Sequence, residues 1–414
     1  MLSRRVPHDY TPNDITRLLA EKRREGIPIL DLTETNPTRA GLSMAGTTEL
    51  AALADPRGAF YDPDPRGGVG AREAVTRYYM ERAQESGGGE GTLSPEDVVL
   101  VASTSEAYAH LFRLLCEEGD EVLIPRPSYP LFEPLATLEG VRLQAYRLTH
   151  DAGGSHGSGG AGGAGAPGWR LDLDSLEGAF GPRTRAVVLV QPNNPTGSCL
   201  SGDELARVEE ICAARGIAII SDEVFGDFPW PPRSRPLPSV LGDRRALTFA
   251  LGGLSKLCGM PQMKLGWIAL AGPAEAKREA HRGLEWIADL FLSVSTPVQI
   301  ALPSLLLTRH RFRERVGGRL EANLARLREL GNRNAGFAVL EGEGGWSAVV
   351  ATPAGAEEYA LTALRDQDVL LYPGHFYDFP HDGHVVMSLL PQTEIFAEAV
   401  RRLEALIQTR REDE

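Results

Sequence analysis

Residues 249–267 read FALGGLSKLCGMPQMKLGW, and the rest of the chain is organised around them. The apolar run at 246–251 predicts a buried strand that ends in Gly252 and Gly253. Ser255, Lys256, Gly259, Lys264 and Gly266 follow. A lysine just past a buried strand, in a Gly-rich turn, lies close to whatever the backbone approaches. Desolvation there disfavours the ammonium, so the neutral nucleophilic amine becomes accessible. A lysine that forms a Schiff base needs that property. Taken alone, Ser255-Lys256 reads as a surface loop, so the remaining sequence has to decide.

Short apolar runs recur outward from this stretch, at 98–102, 121–124, 141–146, 186–190, 217–220 and 267–270. Amphipathic segments separate them. One opens with the capping box Ser201-Gly202-Asp203-Glu204 and closes at Gly216. The alternation predicts an α/β fold with a mostly parallel sheet covered on both faces. Residues 151–168 are Gly-rich and low in complexity, which predicts a disordered insertion between strands. Residues 274–330 predict a long helical region broken near Pro297 and Pro303. Short strands and helices then alternate as a smaller α/β domain. Ahead of the sheet, Ile15, Leu18 and Leu19 predict a short helix that packs on the body. The expected division is an N-terminal arm over 1–45, a large domain over 46–285 and a small domain over 286–414.

The 414 residues, 42% of them hydrophobic and 24% charged, fit two or three ordinary globular domains. Forty-three basic against 56 acidic residues leave a net charge of −13, which argues against nucleic acid or an anionic membrane surface as partner. No apolar run is long enough to span a bilayer. Cys116, Cys199, Cys212 and Cys258 lack metal-ligand spacing, so no metal is expected, and reduced thiols in a cytoplasm are the expectation.

Polar residues collect where strands should end. Ser103, Thr104 and Ser105 follow the first run, and Ser128 and Tyr129 the second. Asn194-Pro195-Thr196-Gly197, Asp222-Glu223 and Ser255-Lys256 follow three later ones. Open α/β sheets bind ligands outside the carboxyl ends of their strands. Together these groups suit an aromatic, phosphorylated electrophile. Singly they stay ambiguous. Residues 103–105 read either as a plain helix cap or as a phosphate cradle. Tyr129 reads as core, and Asn194 as part of any turn. Asp222 is stranger, because a carboxylate after a buried strand needs a cationic partner.

In these motifs, and in their order and separation, the sequence resembles the class I/II aminotransferases from about residue 30 onward. The resemblance implies a fold-type-I transferase dependent on pyridoxal 5′-phosphate, with a mostly parallel seven-stranded sheet in the large domain. It implies Lys256 as the Schiff-base lysine and proton carrier, and Asp222 as partner of the pyridinium nitrogen. Asn194 would bond the ring oxygen, Tyr129 would stack on the ring, and Ser103, Thr104, Ser105, Ser255 and Lys264 would surround the phosphate. Tyr61 would reach the phosphate of a neighbouring subunit, which implies a homodimer. Four departures stand out. Phe225 replaces a hydroxyl donor to the ring oxygen, Gly253 falls where a phosphate-binding hydroxyl is common, Lys264 stands where the family usually has a phosphate-binding arginine, and Val386 stands where an arginine usually grips the substrate carboxylate. Arg39, in the turn Asn36-Pro37-Thr38-Arg39, is the candidate replacement, and Trp346 a candidate substrate contact. The implied activity is ping-pong transfer of an amino group between an amino acid and a 2-oxo acid. The alternatives are a β-lyase or decarboxylase on the same fold, or a non-catalytic regulatory protein.

Overall fold

The computed structural model describes residues 3–87, 93–151, 168–231, 235–352 and 355–413. The arm opens with the helix Asp14–Arg24, capped by Asn13, whose side chain accepts from the Thr16 N–H. It continues into the short strand β1 (Leu30–Asp31). The large sheet follows: β2 (Val98–Val101), β3 (Glu121–Arg126), β4 (Arg142–Asp151), β5 (Gly168–Leu171), β6 (Thr184–Val190), β7 (Ala218–Asp222), β8 (Thr248–Gly253) and β9 (Gly266–Ala271). Their spatial order is β2-β9-β8-β7-β6-β3-β4-β5.

β3, β4, β6, β7 and β8 pair in parallel, while β9 runs antiparallel between β8 and β2. β2 therefore points the same way as β8. The central runs are apolar at every position because helices cover both faces. Val99, Ile124, Val188 and Ile220 pack with Leu111 and Leu284 on one side. Leu123, Val187, Leu189 and Ile219 pack with Val208 and Cys212 on the other. This is the pattern of a sheet buried on both sides.

The sheet has eight described strands where seven were expected. The extra one, β5, folds back antiparallel on β4, with Asp151 opposite Gly168. The disordered insertion was expected over 151–168; its two end residues are in strands, and residues 152–167 lie outside the described residues. Pro303 does not break a helix as expected. It sits inside Thr296–Leu306, and the interruption comes at residues 307–308, before Arg309–Arg333. Pro297 occupies the first turn of that helix, where its missing N–H costs nothing. The expected boundary at 285/286 falls within the helix Ala274–Asp289.

The C-terminal part carries β10 (Ala338–Leu340), β11 (Ser347–Ala351), β12 (Val369–Leu370), β13 (Tyr372–Pro373) and β14 (His384–Ser388). Four of them form an antiparallel sheet in the order β10-β11-β14-β13, and β12 pairs in parallel with β1. Lys22 in the arm helix donates to the Arg365 carbonyl (2.8 Å) and lies 2.5 Å from Asp368 Oδ1. The arm is therefore fastened to β12 and to the C-terminal end of the helix Ala356–Gln367 that precedes it.

β8 ends in Gly252 and Gly253, as the sequence suggests. A Cβ at Gly252 would lie 2.6 Å from Nε1 of Trp267, a fully buried ring that donates to the Tyr79 hydroxyl (3.1 Å). A Gly252→Ala chain should accordingly lose about 1–3 kcal/mol of stability through overpacking. The urea midpoint measures this. Gly70→Ala, where a Cβ meets nothing within 4 Å, serves as the control expected to change little.

Candidate active site

Because β2, β3, β6, β7 and β8 share one direction, the residues that follow them meet at one edge of the sheet. There they line a cavity of about 780 Å³. Its inner wall carries Ser103, Thr104, Ser105, Asn194, Asp222, Ser255 and Lys256, with Tyr129 beside them. Thr33 and Thr35 of the arm, and Ser347 and Tyr372 of the small sheet, close the outer side. The volume accommodates a cofactor together with a small substrate.

Lys256 lies in a single helical turn, Leu254–Leu257, directly after β8. Leu254 and Leu257 are buried and anchor the turn, and the Leu254 N–H donates to the Leu265 carbonyl (3.0 Å). The Lys256 Nζ sits 5.1 Å from the ring centre of Trp346 and 5.6 Å from that of Phe225. Burial pushes its pKa down to about 8, and the charge of Asp222 opposes that shift.

Asp222 is the last residue of β7, paired with Val190 and Leu251 on the adjacent strands. Burial lifts its carboxyl to about 6, against the pull of its hydrogen bonds and of Lys256. Oδ1 accepts from the Val224 N–H (3.2 Å) and Oδ2 from the Tyr108 hydroxyl (3.2 Å). Among the described residues no cation lies within ion-pair distance of Asp222. The adjacent Glu223 has a different role: it is buried against Arg82 (2.8 Å) and accepts from the Val240 N–H (2.7 Å).

The two readings of residues 103–105 divide between them. Ser103 caps the helix Thr104–Leu115, its Oγ accepting from the Glu106 N–H (3.2 Å). Among the described residues the Thr104 and Ser105 hydroxyls make no protein hydrogen bond, and they open on the cavity. At Asn193-Asn194, Asn193 supplies the turn: its Oδ1 accepts from the N–H (3.3 Å) and hydroxyl (3.0 Å) of Thr196. Asn194 is left to face the cavity. Gly197, with φ of +70°, completes the turn where a Cβ would meet the Gly344 carbonyl at 2.6 Å.

Five expected residues are not brought to the wall. Lys264 takes a left-handed backbone conformation (φ 49°) and its side chain is exposed. Tyr61 is 80% exposed and borders a separate cavity of about 290 Å³ with Leu292 and Val294. Asn36 spends its Oδ1 on the Thr38 N–H (3.0 Å) and hydroxyl (2.7 Å). The Arg39 side chain is 78% exposed, 3.9 Å from Glu34. Trp346 is buried behind Lys256 rather than in the wall. Phe225 does line the cavity, and Gly253 lies in β8 at its edge. Tyr108 was missed by sequence reasoning. It sits one turn after Thr104, a spacing that gives no sign of which strand end the ring will reach.

Among the described residues no group of three or more His, Cys, Asp or Glu could hold a metal, and no helix is long and apolar enough to cross a membrane. A buried lysine and a buried carboxylate at the strand ends of an α/β sheet are groups that chemistry through an amine nucleophile requires. The family model for aminotransferase class I and II matches residues 30–403, and the chain belongs to that family. It is 26% identical over 400 residues to the glutamate-pyruvate aminotransferase AlaA of Haemophilus influenzae, covering 92% of this chain and 90% of the relative. It is 28% identical over 406 residues to an alanine aminotransferase of Mycobacterium tuberculosis, covering 93% and 86%. In fold it is similar to an alanine aminotransferase from Pyrococcus furiosus, with a TM-score of 0.84 at 23% identity and coverage of 99% and 100%. An Escherichia coli aminotransferase gives 0.81 at 23% identity, with coverage of 99% and 98%. The chain is an aminotransferase of this fold.

Two titrations check the electrostatics. Borohydride trapping of a small aldehyde on the cofactor-free chain should modify Lys256 with a midpoint near pH 8, whereas exposed lysines respond only towards about 10.4. Tyr108→Phe removes a hydrogen bond that favours the charged carboxylate. The Asp222 midpoint should then rise above 6 by about one pH unit, read from its carboxylate infrared band.

Proposed function

We propose that the chain uses pyridoxal 5′-phosphate to move an amino group between an amino acid and a 2-oxo acid by a ping-pong sequence, as a cytoplasmic homodimer. One observation carries this reading: the desolvated amine of Lys256 and the cation-free carboxylate of Asp222 share one cavity with the open start of a helix. The residues present fit the cofactor. Asp222 lacks a cation and would pair with a protonated ring nitrogen. The Thr104 and Ser105 hydroxyls, with the helix N–H groups and Ser255, would hold a phosphate. Asn194 would bond the ring oxygen and Tyr129 would cover the ring face. Phe225 has no hydroxyl to offer and Lys264 lies outside, so the hold relies on fewer charges.

When bound, the cofactor supplies a sink for the electron pair left at the substrate Cα. The remaining work belongs to the chain. Lys256, neutral above about pH 8, takes the Cα proton and returns it. Asp222, charged above about pH 6, sustains the positive charge it faces. The walls exclude water. Arg39 is the proposed grip on the substrate carboxylate. Thr33 and Thr35 on its segment already line the cavity. That segment is tied to β14 through Ser388, whose N–H donates to the Leu32 carbonyl and whose hydroxyl donates to that of Glu34, both at 2.6 Å. A change of rotamer away from Glu34 would turn the guanidinium inward.

The dimer reading rests on an exposed apolar surface. Phe60 and Tyr61 lie next to the cavity that Leu292 borders, and Trp286 (69% exposed), Leu290 and Phe291 stand on the chain just before it. Such a patch calls for a partner. A second copy seated there would place Tyr61 towards the neighbouring site.

Adding an amino donor alone to the cofactor-loaded chain should convert the chromophore to its amine form. A β-lyase or decarboxylase would instead return it to the aldehyde form. Lys256→Ala should show no conversion. Arg39→Ala should raise KM for the amino acid about tenfold or more, as expected for loss of a charge-assisted contact. An unchanged KM would remove Arg39 from the role. Trp286→Glu should shift the chain from dimer to monomer in light scattering and weaken cofactor retention.

A further inference from the structure

The outer wall of the cavity is aromatic and uncharged. Tyr372, Phe376 and Tyr377 line the cavity that holds Lys256, with the Phe376 and Tyr377 rings 5.6 and 6.3 Å from that of Tyr372. The sheet behind them is equally neutral. Val386 on β14 pairs directly with Tyr372 on β13 and with Val349 on β11. Residues directly opposite in antiparallel strands share a face. Val386 is 2% exposed and belongs to a cluster with Tyr377, Phe379 and Trp169. Ser347, two residues before Val349, brings only a hydroxyl to the cavity. Arg126, the last residue of β3, is 3.6 Å from Asp378 and does not line the cavity. Among the described residues that line the cavity, Lys256 is the one cation and Asp222 the one carboxylate, and both have roles already.

We infer that the donor carries a neutral aromatic or apolar side chain, selected by Tyr372, Phe376 and Tyr377, and that dicarboxylic donors are rejected. This rests on the aminotransferase reading above and adds the substrate class. The physical reason is one-sided. An aromatic side chain gains contact area against three rings. With Arg39 taken by the α-carboxylate, a side-chain carboxylate would leave water without meeting a second cation. The transfer balances as for any donor. The donor carbon gives up its amino group and a proton and leaves as a carbonyl whose oxygen comes from water. The nitrogen and the electron pair stay on the cofactor until a 2-oxo acid accepts them.

The test uses the cofactor-loaded chain and two measurements. The first is the rate of chromophore conversion with L-phenylalanine and with L-glutamate. The second is calorimetric binding of two unreactive analogues, 3-phenylpropionate and glutarate. Phenylalanine and 3-phenylpropionate should each be favoured at least about tenfold over the diacid counterpart. Phe376→Arg sets a cation in the wall at a half-buried position and should narrow both ratios about tenfold. Glutamate and glutarate equal to or better than their aromatic counterparts would overturn the inference while leaving the aminotransferase reading intact. Ratios unmoved in Phe376→Arg would overturn the role of the wall. Selective binding of 3-phenylpropionate with no conversion by either donor would uphold the wall and overturn the transfer reading.

Discussion

Two opposite charges held in one desolvated cavity, without touching, set the terms for this structure. Burial raises the Asp222 pKa to about 6 and lowers that of Lys256 to about 8. The signs follow from which state holds the proton. For Asp222 the folded chain binds its proton more tightly than the unfolded chain. Stability falls as pH rises from the ordinary carboxyl range to about 6, and the cost persists above it. For Lys256 the unfolded chain binds the proton more tightly. That cost is present below about 8 and is relieved as pH rises towards the ordinary lysine value. Between about 6 and 8 the fold carries both, on the order of 2–3 kcal/mol each. A ligand that brought a positive ring nitrogen to Asp222 and consumed the Lys256 charge would relieve both at once. The site is thus less stable than an apolar core would be, in the direction its chemistry requires.

The surrounding structure holds that arrangement in place. Tyr108 and the Val224 N–H each engage one oxygen of Asp222, so the carboxylate is oriented without being neutralised. Glu223, which would otherwise repel it from the next position, is paired with Arg82. Gly252 and Gly266 let β8 and β9 approach: a Cβ at Gly266 would lie 2.9 Å from the Gly252 carbonyl. That close pairing fixes where the Lys256 turn leaves the sheet. The helix that begins at Thr104 presents its open N–H groups at one end and, a turn later, Tyr108 to Asp222. One helix therefore relates the Thr104 end of the cavity to its carboxylate.

Most of the inner wall was legible in the sequence because strand ends in a parallel sheet share an edge, and apolar runs mark strand ends well. Lys256, Asp222, Asn194 and residues 103–105 needed only that rule. Other features depend on information a linear reading does not hold. Tyr108 sits mid-helix in an apolar pattern and reads as core. β5 follows a Gly-rich stretch and is four residues long, too short for periodicity to register. Pro303 reads as a breaker, yet it lies within a helix that continues only three residues beyond it. Lys264 has the right spacing from Lys256, but its left-handed backbone points the side chain away. Tyr61 and the apolar residues near it are exposed, and no periodicity in the sequence marks them as surface rather than core.

The two sides of the cavity come from different parts of the chain, and this separates reaction from selection. The inner side belongs wholly to the large sheet and carries every group with an unusual charge state. The outer side belongs to the arm and the small sheet, which Ser388 of β14 joins by donating to the Leu32 and Glu34 carbonyls. Its residues are hydroxyls and aromatic rings. Changing a residue there alters what is admitted without disturbing Asp222 or Lys256, since none of those side chains hydrogen-bonds to either. This explains how Val386 can stand where a charged grip would be expected while the inner wall stays complete. The neutral outer wall offers aromatic contact in place of charge. The family fold thus supplies the chemistry, and the outer wall decides which substrate meets it.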